Sequence, residues 1–132
     1  MREKTERIVK DWSPICDAEV SIAVIGGAWK PTILSMLEQH RLLRFGELSR
    51  LLDGTTPRVL TRQLRELEED GLVIRTVHRQ VPPKVEYELS RVGRSVSPLL
   101  AELTHWGSTY AAPHRAIPSE TVKAGARLAA EC

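Results

Sequence analysis

The residues best placed to do chemistry stand in one stretch, Thr55–Asp70, TTPRVLTRQLRELEED. At about 100° per residue, Arg58, Thr61, Arg62 and Arg65 fall in one narrow stripe. Leu60, Leu64 and Leu67 fall on the other side. Three guanidiniums and a hydroxyl near a helix N-terminus are groups that can enter a DNA major groove, bond guanine edges and hold phosphates. Thr56, as N-cap, would sit beside them. The acidic run Glu66, Glu68, Glu69 and Asp70 restricts this use to the N-terminal half of the helix and reads as a solvated helix end. A basic amphipathic helix is most often a solvated surface helix, so the neighbouring elements must decide between the two readings.

Other reactive side chains are sparse. Cys16 and Cys132 are far apart and have no metal-type spacing. His40, His78, His105 and His114 are scattered, and none pairs with another His or Cys at ligand spacing. No metal and no cofactor are expected. A glycine-rich phosphate loop and a Ser/His/Asp arrangement are both missing, so an enzyme reading has little support. Cys16 stands just before a helix, where backbone N–H groups favour a thiolate. A possible redox-sensing role is weighed against the simpler and preferred reading of a small, half-buried hydrophobe. Cys132 reads as incidental.

The elements that would position these residues follow from hydrophobic spacing. Met1–Ser13 is polar and charged; Ile8, Val9 and Trp12 form a short apolar edge or belong to a mobile arm, ended by Pro14. An apolar pattern from Asp17 through Val20, Ala23 and Val24 closes at Gly26–Gly27, a natural helix stop. A second helix places Trp29, Ile33 and Leu37 on one stripe, with Pro31 tolerated in its first turn. Leu42–Arg44 is a connection or a brief strand. A third helix covers Gly46–Leu52, with Leu48, Leu51 and Leu52 inward and Phe45 at its entry. The turn Asp53–Gly54–Thr55 leads into the arginine helix, whose start is marked by Thr56 and Pro57 and whose end is marked by Gly71. Two short helices joined by a tight glycine turn form a helix-turn-helix.

Leu72–His78 and Val85–Leu89 then read as two strands, with Val85, Tyr87 and Leu89 on one face and Glu86 and Glu88 on the other. The loop Arg79–Lys84, with Pro82–Pro83, joins them into a basic wing. Arg79 and Lys84 are candidate wing contacts, and Arg75 adds charge nearby. Ser90 caps a last helix, Arg91–Tyr110, which Pro98 should kink or break. Its apolar stripe (Val92, Val96, Leu99, Leu100, Leu103, Trp106, Tyr110) is longer than a small core needs. It buries against a second chain, against the chain's own first helix, or both.

A length of 132 residues suggests one domain, and 42% hydrophobic with only 5% aromatic content gives a core of Leu, Ile and Val. The net charge of +2 is compatible with any soluble protein, so positive charge for nucleic acid must be local. The absence of a signal peptide and of a long apolar run leads to a cytoplasmic expectation and no membrane partner. Residues 1–112 are expected to form a winged domain with flanking helices, and residues 113–132 a flexible tail.

With these motifs in place, the chain resembles the HxlR family of bacterial winged helix-turn-helix regulators. The resemblance rests on Cys16, Ile25-Gly-Gly-Ala-Trp29-Lys30, Arg44-Phe-Gly-Glu-Leu48 and the run Leu60–Leu72. It continues through Val81-Pro-Pro-Lys-Val-Glu-Tyr87, Gly93-Arg-Ser and Trp106-Gly107, in order over about Cys16–Tyr110. It implies a mainly α fold with a small β-hairpin (α+β): a winged helix-turn-helix with N- and C-terminal dimerisation helices. It also implies a homodimer on an inverted-repeat operator in double-stranded DNA, usually a repressor, with Val20, Val24, Val96, Leu99, Leu103 and Trp106 as candidate dimer residues. Some relatives sense oxidants or electrophiles through a cysteine near the position of Cys16, so a thiol-reactive or small-molecule effector is a further expectation. Ala28, Pro31 and Thr56–Pro57 depart from the usual family residues; the last pair leaves the operator sequence open. A winged-helix module that docks protein through the same basic face is the alternative.

Overall fold

The computed structural model describes residues 1–11 and 16–115. Trp12 and Pro14, read above as part of an arm or apolar edge and its breaker, and residues 116–132 of the tail expected over 113–132, with Cys132, lie outside the described residues; Pro113 and His114, at the start of that expected tail, lie in a 3-10 turn. The helices are α1 (Glu3–Asp11), α2 (Ala18–Ile25), α3 (Lys30–His40), α4 (Phe45–Leu51), α5 (Pro57–Glu69), α6 (Arg91–Ser95) and α7 (Ser97–Ala111), followed by a 3-10 turn at Ala112–His114. Three strands, β1 (Leu42–Arg44), β2 (Val73–His78) and β3 (Lys84–Leu89), form one antiparallel sheet in the order β1-β3-β2.

The core is built around α3. Ile33, Leu34, Met36 and Leu37 are at most 1% exposed, and Leu48, Leu52, Leu60, Leu64, Leu67 and Leu72 pack with them. A fully buried leucine is worth roughly 1.5–3 kcal/mol, against roughly 0.2–0.5 kcal/mol for an exposed side-chain pair on a helix. The leucine face therefore decides how α5 docks, and its arginines are left for other work.

The ends of α5 are closed at both termini. Thr56 Oγ1 accepts from the Val59 N–H at 3.2 Å, and Pro57 occupies the first turn. At the other end Gly71 has φ +83, a left-handed conformation that glycine adopts at low cost. The Gly71 N–H donates to Glu68 O at 3.0 Å and the Leu72 N–H to Leu67 O at 2.9 Å, a Schellman closure.

Register fixes the sheet faces. Leu43, Tyr87 and Arg75 lie in one row, and Leu42, Glu88 and Ile74 in the next, on the opposite face. Tyr87 and Leu89 are buried as the alternation predicts. Ser90 caps α6 by accepting from the Gly93 N–H at 3.0 Å. The single long helix expected over Arg91–Tyr110 is divided at Val96, with Pro98 in the first turn of α7.

Two details differ from the sequence reading. Of the two alternatives left open for the N-terminal segment, the mobile arm is the one set aside: the segment forms helix α1 packed on α2. Trp29, expected on the stripe with Ile33 and Leu37, is the residue before α3 and has φ 71. The left-handed conformation at this position belongs to the break between α2 and α3, whose axes are bent by 76°.

Candidate nucleic-acid interface

The arginine face is built as the spacing predicts. Arg58, Arg62 and Arg65 are exposed, Thr56 is exposed at the cap, and Thr61 is half-buried between them. Arg58, Thr61, Arg62 and Arg65 line one shallow cleft along α5. A second, small cleft between α5 and the sheet is lined by Thr61, Arg65, Arg75, Glu68 and Tyr87. It places Arg75 of β2 and Arg65 of α5 on one cleft, with the carboxylate of Glu68 on the same lining.

The wing separates its two candidate contacts. Arg79 is exposed in the loop beside Val81, which is fully exposed at the tip. Lys84 is half-buried, and its Nζ lies 2.9 Å from Glu86 Oε1. His78 Nε2 lies 2.8 Å from the same oxygen, a charge pair only when the imidazole is protonated. The hydrogen bond from Lys84 holds the Glu86 carboxyl below its ordinary pKa, with the charges of Lys84, His78 and Arg44 adding to it and partial burial opposing it. Glu86 is thus anchored on the outer face of the sheet and only 6% exposed, although its place in the alternation marks it as solvent-facing.

The acidic end of α5 is not a uniformly solvated face. Glu68 and Glu69 are exposed, but the Asp70 side chain is 1% exposed and Glu66 is held between two cations. Lys30 Nζ lies 2.9 Å from Glu66 Oε2, and Arg2 Nη1 lies 3.4 Å from Glu66 Oε1. Arg2 binds Asp70 through its side chain and its backbone N–H. Burial alone would raise both carboxyls; the hydrogen bond from Lys30 to Glu66, and those from Arg2 to Asp70, outweigh it and hold both below their ordinary values. Sequence reasoning missed this cluster, because its members lie far apart along the chain.

The expected dimer residues divide into two groups. Val24 and Val96 are half-buried against the chain's own core, and Val20 is half-buried on α2. Leu99, Leu103, Trp106 and Tyr110 are 38%, 45%, 65% and 67% exposed along one face of α7. Trp106 and Tyr110 stack with ring centroids 5.1 Å apart. Cys16 is exposed and unbonded just before α2, not half-buried as the preferred reading of it expects. Among the described residues no three His, Cys, Asp or Glu side chains converge as a metal site. No single helix among the described residues is long and apolar enough to cross a membrane.

A helix-turn-helix formed by α4 and α5, followed directly by a β-hairpin whose central strand also pairs with β1, defines a winged helix-turn-helix DNA-binding protein. The HxlR-like helix-turn-helix family model matches residues 24–115, and the chain belongs to that family. An uncharacterized HTH-type transcriptional regulator of Methanothermobacter thermautotrophicus is 47% identical over 96 residues, spanning 73% of this chain and 72% of the relative. The regulator YtcD of Bacillus subtilis is 51% identical over 92 residues, 70% of this chain and 72% of its own. A crystal structure of ytcD superposes with a TM-score of 0.67 at 49% identity, covering 73% of this chain and 97% of that one. The redox regulator HypR in its oxidized form superposes with a TM-score of 0.66 at 44% identity, covering 71% and 96%. The protein is therefore a DNA-binding transcriptional regulator of the helix-turn-helix type, as the family resemblance implied.

Proposed function

We propose that the protein acts as a homodimer on an inverted-repeat operator and represses the gene it controls. In this reading α5 enters the major groove and the wing follows the adjacent backbone. The observation that carries it is the pairing of two faces on α5: Leu60, Leu64 and Leu67 fully buried, Arg58, Arg62 and Arg65 exposed. One such helix reaches only a few base pairs; two related by a two-fold axis read half-sites roughly 34–36 Å apart on one DNA face. The exposed apolar stripe of α7 supports a self-complementary contact of that symmetry.

A second reading concerns the signal. Cys16 is exposed and free at the start of α2, and the structural neighbours include the redox regulator HypR and diamide-treated YodB from B. subtilis, the latter at 26% identity and a TM-score of 0.62. We infer that a thiol-reactive compound acting at Cys16 alters operator binding.

The test begins with selection of duplexes from a random-sequence pool by the purified protein. Anisotropy then compares the tightest selected duplex with a scrambled one at two salt concentrations. An enriched inverted repeat is expected, with a salt slope near −4.5 if about five phosphates are neutralised. Absence of any enriched sequence would favour the protein-docking alternative. Diamide treatment of wild-type protein and Cys16→Ser then tests the signal: equal affinity before and after treatment removes the redox reading.

A further inference from the structure

The N-terminal residues before α2 lie outside the span that the family model matches, residues 24–115, yet one of them grips the recognition helix. Arg2 Nε donates to Asp70 Oδ2 at 2.9 Å, Nη2 lies 2.8 Å from the same oxygen, and Nη1 lies 3.4 Å from Glu66 Oε1. The backbone N–H of Arg2 donates to Asp70 Oδ1 at 2.8 Å, and Thr5 Oγ1, itself 1% exposed, donates to Asp70 Oδ2 at 3.2 Å. Nη2 also donates to Ala23 O of α2 at 3.0 Å.

A carboxylate at the C-terminal end of a helix opposes the helix dipole, whereas one at an N-terminal end is favoured by it. Asp70 occupies both places at once. It is the C-cap residue of α5, and its oxygens receive the free donors at the start of α1. Arg2 supplies the charge that lets it remain there. The same guanidinium reaches α2, so α1, α2 and α5 are fixed to one another at a single point.

We propose that Arg2 is a positioning residue for DNA recognition, holding the acidic end of α5 at a fixed angle to α2 through Asp70 and Glu66. Arg2 touches no DNA in this arrangement. It sets the direction of the arginine face and removes charge that would repel phosphate at the far end of the helix. Because α2 is one of the helices expected to carry the dimer contact, the clamp also sets the separation of the two arginine faces. The proposal rests on the reading of α5 as the DNA-contacting helix.

The test uses the full chain and the tightest duplex that the wild-type protein selects from a random pool, with a scrambled duplex beside it. Arg2→Ala is expected to weaken the selected duplex about tenfold and the scrambled one less than about twofold, the scale of a coupling residue remote from the ligand. Asp70→Asn is expected to weaken the selected duplex in the same way, and the double variant to lose less than the sum of the two single losses, since both remove the Arg2–Asp70 pair. Arg2→Lys keeps the charge without the fork and should recover part of the loss. That variant and Asp70→Asn decide the matter should Arg2→Ala not fold. Wild-type preference for the selected duplex in the folded variants, equal losses on both duplexes, or additive losses in the double variant would overturn the clamp. Arg62→Ala separates the two readings: if it binds as wild type, α5 is not the DNA helix, whereas a loss in Arg62→Ala with none in the Arg2 variants rejects the clamp alone.

Discussion

Lys30 Nζ lies 2.9 Å from Glu66 Oε2, joining the start of α3 to α5 through an ammonium that is only 2% exposed. Glu66 itself is 29% exposed and has Arg2 as a second partner. The two ends of the pair are therefore not equivalent. Glu66→Gln leaves a buried ammonium without its carboxylate and should cost about 2 kcal/mol, less than a fully buried pair would because one end meets solvent. Lys30→Met keeps the volume and leaves Glu66 beside Arg2, so its cost should be smaller. Thermal unfolding of both variants checks the order; a more stable Glu66→Gln would contradict it.

Arg62 and Lys84 should differ in kind as DNA contacts. Arg62 is exposed on the arginine stripe, where a bidentate guanine contact is worth about 1–3 kcal/mol of base discrimination. Lys84 is already paired with Glu86. Arg62→Ala should lower affinity for the selected duplex and relax its sequence preference. Lys84→Ala should produce a smaller loss that is alike for all sequences. Base-substituted duplexes titrated with each variant measure both effects.

Gly93 sits against the Leu72 carbonyl, and a Cβ added there would overlap that oxygen. The same carbonyl accepts the Ser90 N–H at 2.9 Å, so it cannot retreat without losing a hydrogen bond at the junction of β3 and α6. Gly93→Ala should destabilise the fold by about 2–3 kcal/mol, the upper part of the usual range for overpacking. A denaturation midpoint equal to that of the wild type would show that the junction relaxes.

Leu103 stands 45% exposed at the middle of the α7 stripe. If that stripe closes a dimer, Leu103→Glu places a charge in an apolar contact on both subunits and should give a monomer at micromolar concentration, with each chain still folded. Sedimentation velocity reads the mass. A dimeric mass for both wild type and variant would place the contact elsewhere, and a monomeric wild type would remove the dimer.

Stability should fall in acid. Asp70 and Glu66 both titrate below their ordinary values in the folded chain, burial being outweighed by Arg2 and Lys30; Glu86 does so through Lys84. At low pH the unfolded chain then binds more protons than the folded one. Their contribution is complete above the ordinary carboxylate range and is lost as pH falls through it toward the folded values. Denaturant midpoints taken from pH 7 down to pH 3 should decline, and Asp70→Asn should flatten part of that decline.

The arginine helix and the wing were legible in the chain because their signals are local. Thr56 and Pro57 mark a start, Gly71 a stop, and leucine spacing a buried face, all within sixteen residues. The break at Pro98 was legible for the same reason. The Arg2–Asp70 contact was not, since its partners are separated by 68 positions and periodicity carries no information about which charge meets which. The charged composition of Glu3–Asp11 suggested an arm. Its anchoring involves the buried Thr5 and the salt bridges of Arg2, neither of which leaves an apolar pattern. Trp29 differs by one residue: its spacing suits the α3 stripe and it packs against the core, but φ 71 places it just before the helix rather than within it.

The order β1-β3-β2 gives the wing a graded stiffness. Residues 86–88 of β3 have neighbours on both sides, Leu42–Arg44 and Ile74–Thr76, whereas Lys84 and Val85 pair only with His78 and Val77. The root of the hairpin is thus a three-strand plate, and its outer third is a two-strand ribbon that bends more easily. Amide hydrogens should exchange slowest at the root and fastest toward Val81. If the wing follows the DNA backbone as proposed, such a spring would accommodate variations in backbone path while α5 keeps its seat, and tolerance at the flanks of a site would then be a mechanical property of strand order rather than of any one side chain.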